Sequence, residues 1–341
     1  MNLSTKIPVA VIGTGHMGRH HVRVYSELPH AKLVGIVDQD LDKAAQLAQQ
    51  FHTQAYSTVD PIIDKIVAAS VAVPTVAHLA VARPLLERGI GVLIEKPLAP
   101  DSKTARELLE TARRHNTLLQ VGHTERFNPV VRAMHAMKVW PRFIETHRIS
   151  PFTFRSADIG VVMDMMIHDI DIVFSLVRAK AIRVEAVGVS VLGAYEDIAN
   201  AWVTFEGGCV ANLTASRLAL KTERKIRVFS PEAYLSLDYQ KKVGIAIKKD
   251  ANADLLKFAR ERKADDLSQL AGTDYASLVK IEPLVVNDEE PLRAELEAFL
   301  HSVKTGEPPA VSAEDGAAAV ELAERITQAV KEHDWKIADL K

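Results

Sequence analysis

A continuous apolar run, Ile7-Pro8-Val9-Ala10-Val11-Ile12, empties into Gly13-Thr14-Gly15-His16-Met17-Gly18 and then into an amphipathic stretch ending near Leu28. Strand, glycine turn and helix in that order leave few folds open. A GxGxxG string alone means little more than a turn. Here it lies between a strand and a helix, and Asp38 closes a second apolar strand, 33–38, about twenty residues beyond Gly18. In that setting the three glycines have separate roles. Gly13 permits the tight turn, Gly15 lets a pyrophosphate approach the backbone, and Gly18 lets helix and strand pack closely. The anion is held at the helix N-terminus, with His16 and Met17 among the loop contacts. A carboxylate at Asp38 accepts hydrogen bonds from a ribose 2′-hydroxyl and repels a 2′-phosphate, so NAD is expected and NADP disfavoured. Asp40, and the lack of Arg or Lys directly after Asp38, act in the same direction.

The pattern repeats along the first third of the chain. The runs at 66–73, 91–97 and 117–123 are apolar strands, and DLDKAAQLAQQF (N-capped by Asp40), TVAHLAVARPLLERG and DSKTARELLETARRHN are helices between them. Pro84 should kink or restart the second of these. Strands apolar throughout, alternating with helices, imply a doubly wound parallel sheet covered on both faces, a Rossmann-type domain over 1–123.

After His123 the texture changes. AIRVEAVGVSVLG, ANAWVTFEGGCVANLTASRL, RKIRVFSPEAYLSLDY and KVGIAIKK alternate apolar and polar residues and are separated by short turn signals, as in a large, mainly antiparallel open sheet. A helix from 158 to about 177 precedes them, and helices over 289–303 and 312–333 close the chain. The expectation is a second α/β domain over 124–341, with 250–290 left unplaced. A length of 341 residues accommodates two such domains.

Charge narrows the partners. Lys and Arg number 42 and Asp and Glu 44, a formal net charge of -2 with no sustained block of one sign, so neither nucleic acid nor a membrane surface is expected. The single cysteine, Cys209, cannot form an intramolecular disulfide, and no Cys/His spacing suggests a metal site. The N-terminal run lacks the features of a secretory leader and is too short to span a bilayer, so the cytoplasm is the expected location.

In an open parallel sheet, ligands lie beyond the carboxyl ends of the strands. Pro74, the Glu95-Lys96-Pro97 turn and His123 fall there, so Pro74, Glu95 and Lys96 are candidate cofactor contacts and Lys96 and His123 candidate substrate contacts. His78 is a further candidate beside the cofactor. For His78 and His123 a satisfied interior histidine is the competing reading. Pro97 permits a cis peptide bond before it.

GTGHMGRHH, the strand-end Asp38, IEKPLA at 94–99 and a later D-x-x-x-H on an apolar helix together resemble the glucose-fructose oxidoreductase / inositol dehydrogenase / rhizopine-catabolism (Gfo/Idh/MocA) family. The glycine loop is common to many families, whereas the EKP turn with the D-x-x-x-H helix is much more specific. The resemblance implies a nucleotide-binding half followed by an α/β half whose open sheet mediates homodimers or homotetramers. It also carries a catalytic Lys, Asp and His onto Lys96, Asp164 and His168.

The segment DIGVVMDMMIHDIDIV (158–173) is the helix in question. At about 100° per residue, Asp164, His168 and Asp171 fall within an arc of about 60°, joined by Ser175 one turn later. A narrow polar stripe on an otherwise apolar rod suits the wall of a cleft, the reverse of a surface helix with its broad wet face. Asp169, off the stripe, reads as a structural acceptor for backbone donors or a basic partner. Oxidising a secondary alcohol needs a base for the hydroxyl proton, and histidine titrates near neutrality, so His168 takes that role. Asp164 orients the imidazole or binds a substrate hydroxyl, and Lys96 stabilises the developing alkoxide.

Guanidinium groups suit bidentate recognition of phosphate or carboxylate. Arg126 and Arg155 are candidate substrate contacts, with Arg148, Arg217 and Lys221 among the basic residues nearby in sequence. GHTERFNP combined with RSADIGVVMDMMIHDID is most similar to family members that oxidise nucleotide sugars, which implies the 3-position of a UDP-N-acetylhexosamine. Asp158-Ile159-Gly160 stands where many members carry a glycine triplet, making a free-polyol or inositol dehydrogenase the second choice. An enzyme of the same fold reducing imines or tetrapyrroles would not need this stripe. A non-catalytic NAD-binding regulator would have no reason to hold Lys96, Asp164 and His168 together.

Overall fold

Continuous runs of β-branched and other apolar residues form the strands of the first sheet because both faces of that sheet are covered. The computed structural model describes residues 6–153, 159–252 and 279–333. Strands β1 (Ile7–Ile12), β2 (Ala31–Val37), β3 (Ala55–Tyr56), β4 (Ala68–Val71), β5 (Gly91–Glu95) and β6 (Leu119–Gly122) make a six-stranded sheet in the order β3-β2-β1-β4-β5-β6, every pairing parallel. The strand order reverses between β1 and β4, the place where a doubly wound sheet opens its ligand crevice. Sequence periodicity anticipates every strand but β3, whose two residues are too few to carry a period.

Helices α1 (His16–Glu27), α2 (Leu41–Gln50), α3 (His78–Glu87) and α4 (Ser102–Arg114) alternate with these strands. Asp40 caps α2 as expected, accepting from the Lys43 amide at 3.1 Å, and Asp101 caps α4 through the Thr104 amide at 2.7 Å. Pro84 lies inside α3, which continues for another turn after it.

The compact units do not follow a single cut in sequence. One runs to Phe127 and also includes Glu289–Arg325; the other begins at Asn128, runs to Asp288 and resumes at Ile326. The division 1–123 and 124–341 therefore differs from the contacts chiefly in the helix α7 (Pro291–Thr305) and the start of α8 (Ala313–Glu332). The cause is packing: Leu292, Leu296, Phe299 and Leu300 of α7 join Val9, Val11, Val22, Val24 and Tyr25 in one buried cluster. Each such side chain contributes about 1.5–3 kcal/mol when fully buried.

In the second unit, strands β7 (Phe143–Ile149), β8 (Ala181–Val189), β9 (Ile198–Phe205), β10 (Val210–Ser216), β11 (Glu223–Phe229), β12 (Ala233–Asp238), β13 (Val243–Lys248) and β14 (Glu282–Pro283) form an eight-stranded sheet ordered β14-β13-β12-β11-β7-β10-β9-β8. All pairings are antiparallel except β7 with β10, so the mainly antiparallel sheet expected from the alternation is present. Helix α5 (Pro129–Ala136) is capped by Asn128 and packs on β12, while α6 (Ile167–Val177) packs on β7 and β10. The opposite face of this sheet carries the contacting rings of Trp202, Phe143, Phe229 and Tyr234, with Trp202 41 % and Phe229 39 % exposed. Among the described residues no helix is long and apolar enough to cross a membrane, and no cluster of His, Cys, Asp or Glu is arranged to hold a metal ion.

Candidate functional site

The glycine loop separates its three glycines by what a side chain would meet. Gly13 has φ +97°, and a Cβ there would lie 2.4 Å from the Ala72 carbonyl oxygen, so both conformation and space demand glycine. A Cβ on Gly18 would lie 1.9 Å from the Gly13 carbonyl oxygen, which is the close approach of helix to strand. Gly15 is different: nothing comes nearer than Ala72 O at 4.0 Å, and the residue is exposed at the start of α1 together with His16. The loop therefore presents backbone amides and open space at the one glycine that packing does not require, a setting suited to a pyrophosphate on a helix N-terminus. Met17 is half-buried against the core cluster rather than exposed like Gly15 and His16.

Asp38 follows β2 and ties into that loop. Its Oδ2 accepts from the Thr14 amide at 2.7 Å and the Thr14 hydroxyl at 2.6 Å, and its Oδ1 from the Asp40 amide at 2.9 Å. Burial alone would raise its pKa, but the Thr14 hydroxyl and these amides outweigh it and hold the carboxyl below its ordinary value. Asp38 is thus an anion that also fixes the glycine loop. Thr14, one of the variable positions of the motif, is a partner that local sequence could not identify.

At the carboxyl ends of β4, β5 and β6 the predicted residues take distinct positions. Pro74 is exposed and caps a short 3₁₀ turn, Thr75–Ala77. Lys96 is half-buried and joined to Pro97 by a cis peptide bond, as the X-Pro sequence allowed. His123 is 1 % exposed, which favours the interior reading of that residue. Arg126 lies near Asp315 of α8, with Nη2 3.9 Å from Oδ1.

Two expected cofactor contacts, His78 and Glu95, have buried side chains. His78 is 1 % exposed, with Nε2 3.0 Å from Val73 O and Nδ1 3.1 Å from Leu98 O. Burial lowers its pKa, against the raising effect of those carbonyls; in the neutral ring one nitrogen donates at a time. The imidazole fastens the turn after β4 to the turn after β5. The Glu95 side chain is likewise buried, bonded to His21 Nε2 at 2.9 Å.

The polar helix departs from the expected regular rod. Val162–Met166 forms a π turn that passes into α6 at Ile167, so a constant 100° step does not place Asp164 relative to His168. Such turns recur at functional sites because they redirect one side chain within an otherwise regular helix. Asp164 and His168 are half-buried, as are Met163 and Met165, while Asp171 is buried. The Ser175 hydroxyl lies 2.6 Å from Ile172 O and 3.0 Å from His135 Nε2. The stripe is therefore interrupted, with Asp171 buried and Asp164, His168 and Ser175 half-buried.

Asp169 matches its structural reading: Arg148 Nε and Nη2 each donate to its carboxylate at 2.9 Å, a buried bidentate pair between β7 and α6. That geometry commits the Arg148 guanidinium inside the unit. Arg217 is similarly held, donating to Asp197 Oδ1 at 2.6 Å and to Ile159 O at 2.7 Å, whereas Lys221 is exposed. Arg155 and Asp158 lie outside the described residues. Burial pushes the Cys209 thiol up to about 11.

Comparisons with known proteins agree with this anatomy. Residues 7–123 match the model of the oxidoreductase family with an NAD-binding Rossmann fold, and residues 131–236 that of the GFO/IDH/MocA C-terminal domain. UDP-N-acetylglucosamine 3-dehydrogenase of Acidithiobacillus ferrooxidans is 37 % identical over 230 residues, 67 % of this chain and 73 % of the relative. A solved structure of that enzyme superposes with a TM-score of 0.84 at 30 % identity, covering 96 % of this chain and 98 % of the other. Inositol 2-dehydrogenase of Corynebacterium glutamicum is 26 % identical over 200 residues, 54 % of this chain and 58 % of the relative.

Proposed function

Because the chain belongs to the GFO/IDH/MocA oxidoreductase family, we propose that it transfers hydride between NAD and a secondary alcohol of a nucleotide sugar, the 3-position of a UDP-N-acetylhexosamine. The observation that carries the substrate is the 37 % identity to a UDP-N-acetylglucosamine 3-dehydrogenase, against 26 % over a smaller share of an inositol dehydrogenase. NAD is favoured by Asp38, whose carboxylate is kept ionised by its hydrogen bonds and would repel a 2′-phosphate.

The chemistry supplied by the nicotinamide is acceptance of hydride; the chain supplies the rest. In this reading His168 removes the hydroxyl proton, contributing about 10²–10⁴ in rate, and Asp164 orients that imidazole or a substrate hydroxyl. Lys96 stabilises the alkoxide that develops as the proton leaves. Arg126 and Arg155 are the candidates for the anionic part of the substrate, while buried His123 supports the turn after β6. The open aromatic face around Trp202 and Phe143 suits self-association into a homodimer or homotetramer, and the cytoplasm remains the expected location.

The test is reduction of NAD to NADH, and of NADP to NADPH, by UDP-N-acetylglucosamine, UDP-glucose, myo-inositol and glucose. Turnover of the UDP-N-acetyl sugar with NAD is expected to exceed the others by at least about tenfold, equivalent to about 1.4 kcal/mol. Preference for myo-inositol or glucose would overturn the substrate, and preference for NADP the cofactor.

A further inference from the structure

We propose that His21 and Glu95 form a buried positioning pair that holds the backbone leading into Lys96. The inference rests on the reading of Lys96 as the alkoxide-stabilising group.

The pair lies within one unit and joins two sequence motifs. His21 is on α1, three residues after the last glycine of the loop, and is 0 % exposed; Glu95 is the last residue of β5. Nε2 and Oε1 are 2.9 Å apart. The other carboxylate oxygen, Oε2, accepts from the Lys96 amide at 3.3 Å, so one carboxylate is gripped from α1 and itself grips the next peptide. Glycine on the neighbouring strand makes this possible: a Cβ on Gly122 would come to 3.2 Å from Glu95 Cδ and Oε1 and 3.1 Å from its Cα. The imidazole is braced in turn by an edge contact with Tyr25, at 6.5 Å between ring centres, and the Tyr25 hydroxyl meets Ser70 Oγ of β4 at 2.8 Å.

His21 Nδ1 is buried and makes no hydrogen bond among the described residues, so the ring's hydrogen bond is the one between Nε2 and the Glu95 carboxylate. Both side chains are buried, and they act through Lys96 by fixing where its backbone begins. Misplacing a catalytic group by about 1 Å can cost about 10² in rate, which sets the scale of the effect.

The experiment uses the full chain with NAD and UDP-N-acetylglucosamine. His21→Leu, which keeps volume but loses the donor, is expected to lower kcat by about 10–100-fold while the NAD Kd changes by less than about threefold. His21→Gln, whose side-chain amide can again donate to Glu95, is expected to restore kcat to within about fivefold of the parent. In a Lys96→Ala background, His21→Leu is expected to cost no further turnover, because residues acting through one group are not additive. Should His21→Leu fail to fold, Glu95→Gln replaces it, and a folded Glu95→Gln with parental kcat overturns the proposal. So do a parental kcat in His21→Leu, a failure of glutamine to rescue, or losses that multiply in the double variant. If Lys96→Ala itself turns over normally, the Lys96 reading fails instead, and the two failures are thereby distinguished.

Discussion

The glycine loop of the first unit and the polar helix of the second embody two ways of building a site. In the loop the backbone itself is the candidate group: a Cβ on Gly13 or Gly18 would lie 2.4 or 1.9 Å from a carbonyl oxygen, and Gly15 is left open. On the helix the candidate groups are side chains, and half-buried Asp164 and His168 are set beside a buried ion pair, Arg148 with Asp169, that uses one of their immediate neighbours. A backbone site is specified by residues adjacent in sequence, whereas a side-chain site depends on partners that the chain delivers from far away.

Adjacent residues of the helix offer the sharpest way to break this comparison. His168→Ala is expected to lower kcat by about 10²–10⁴ with little change in thermal midpoint; near-parental turnover of the UDP-N-acetyl sugar would remove His168 from the mechanism. Asp169→Ala leaves Arg148 buried without its carboxylate and is expected to cost about 3–5 kcal/mol of stability in urea unfolding. A loss below about 1 kcal/mol would mean that the pair is not the fastening described.

Within the loop the expected effects are smaller and separate by position. Gly18→Ala forces a methyl group against the Gly13 carbonyl and should cost about 1–3 kcal/mol, read as a lowered thermal midpoint. Gly15→Ala should leave stability within about 0.5 kcal/mol yet weaken NAD binding measured by fluorescence titration; unchanged affinity would show that the open glycine faces no ligand.

The mildest test is acidification. The Asp38 pKa is lowered in the folded chain, so its contribution to stability is fully present above the unfolded value of about 3.9 and is lost as pH falls through the folded one. Asp38→Asn should therefore be less stable than the parent near neutrality, with the difference shrinking below about pH 4. A difference that grew on acidification would contradict the direction of the shift.

This contrast also explains what can be read from sequence. The loop, Asp38, the Asp40 cap and five of the six parallel strands are legible because each is local, written in glycines, a carboxylate or an unbroken apolar run. Asp169 can be assigned a structural role, since a carboxylate among apolar neighbours demands a partner, but Arg148 cannot be named as that partner. Strand β7 is hidden because its buried face includes Thr146 and Arg148, which masks the two-residue period that marks a half-buried strand. The π turn has no compositional mark, and the inward orientations of His78 and Glu95 are set by Val73, Leu98 and His21 across the sheet. The attachment of α7 to the first unit likewise depends on a hydrophobic cluster assembled from both ends of the sequence.

The entrance to the π turn is clamped from outside itself. Val162 N lies 3.3 Å from Glu196 Oε1, a Cβ on Gly160 would meet that same oxygen at 2.0 Å, and Arg217 secures Ile159 O. Evolution therefore has a tuning screw here that touches no ionisable group on the helix: exchanges at 160, 196 or 217 would act on the backbone from which Asp164 projects.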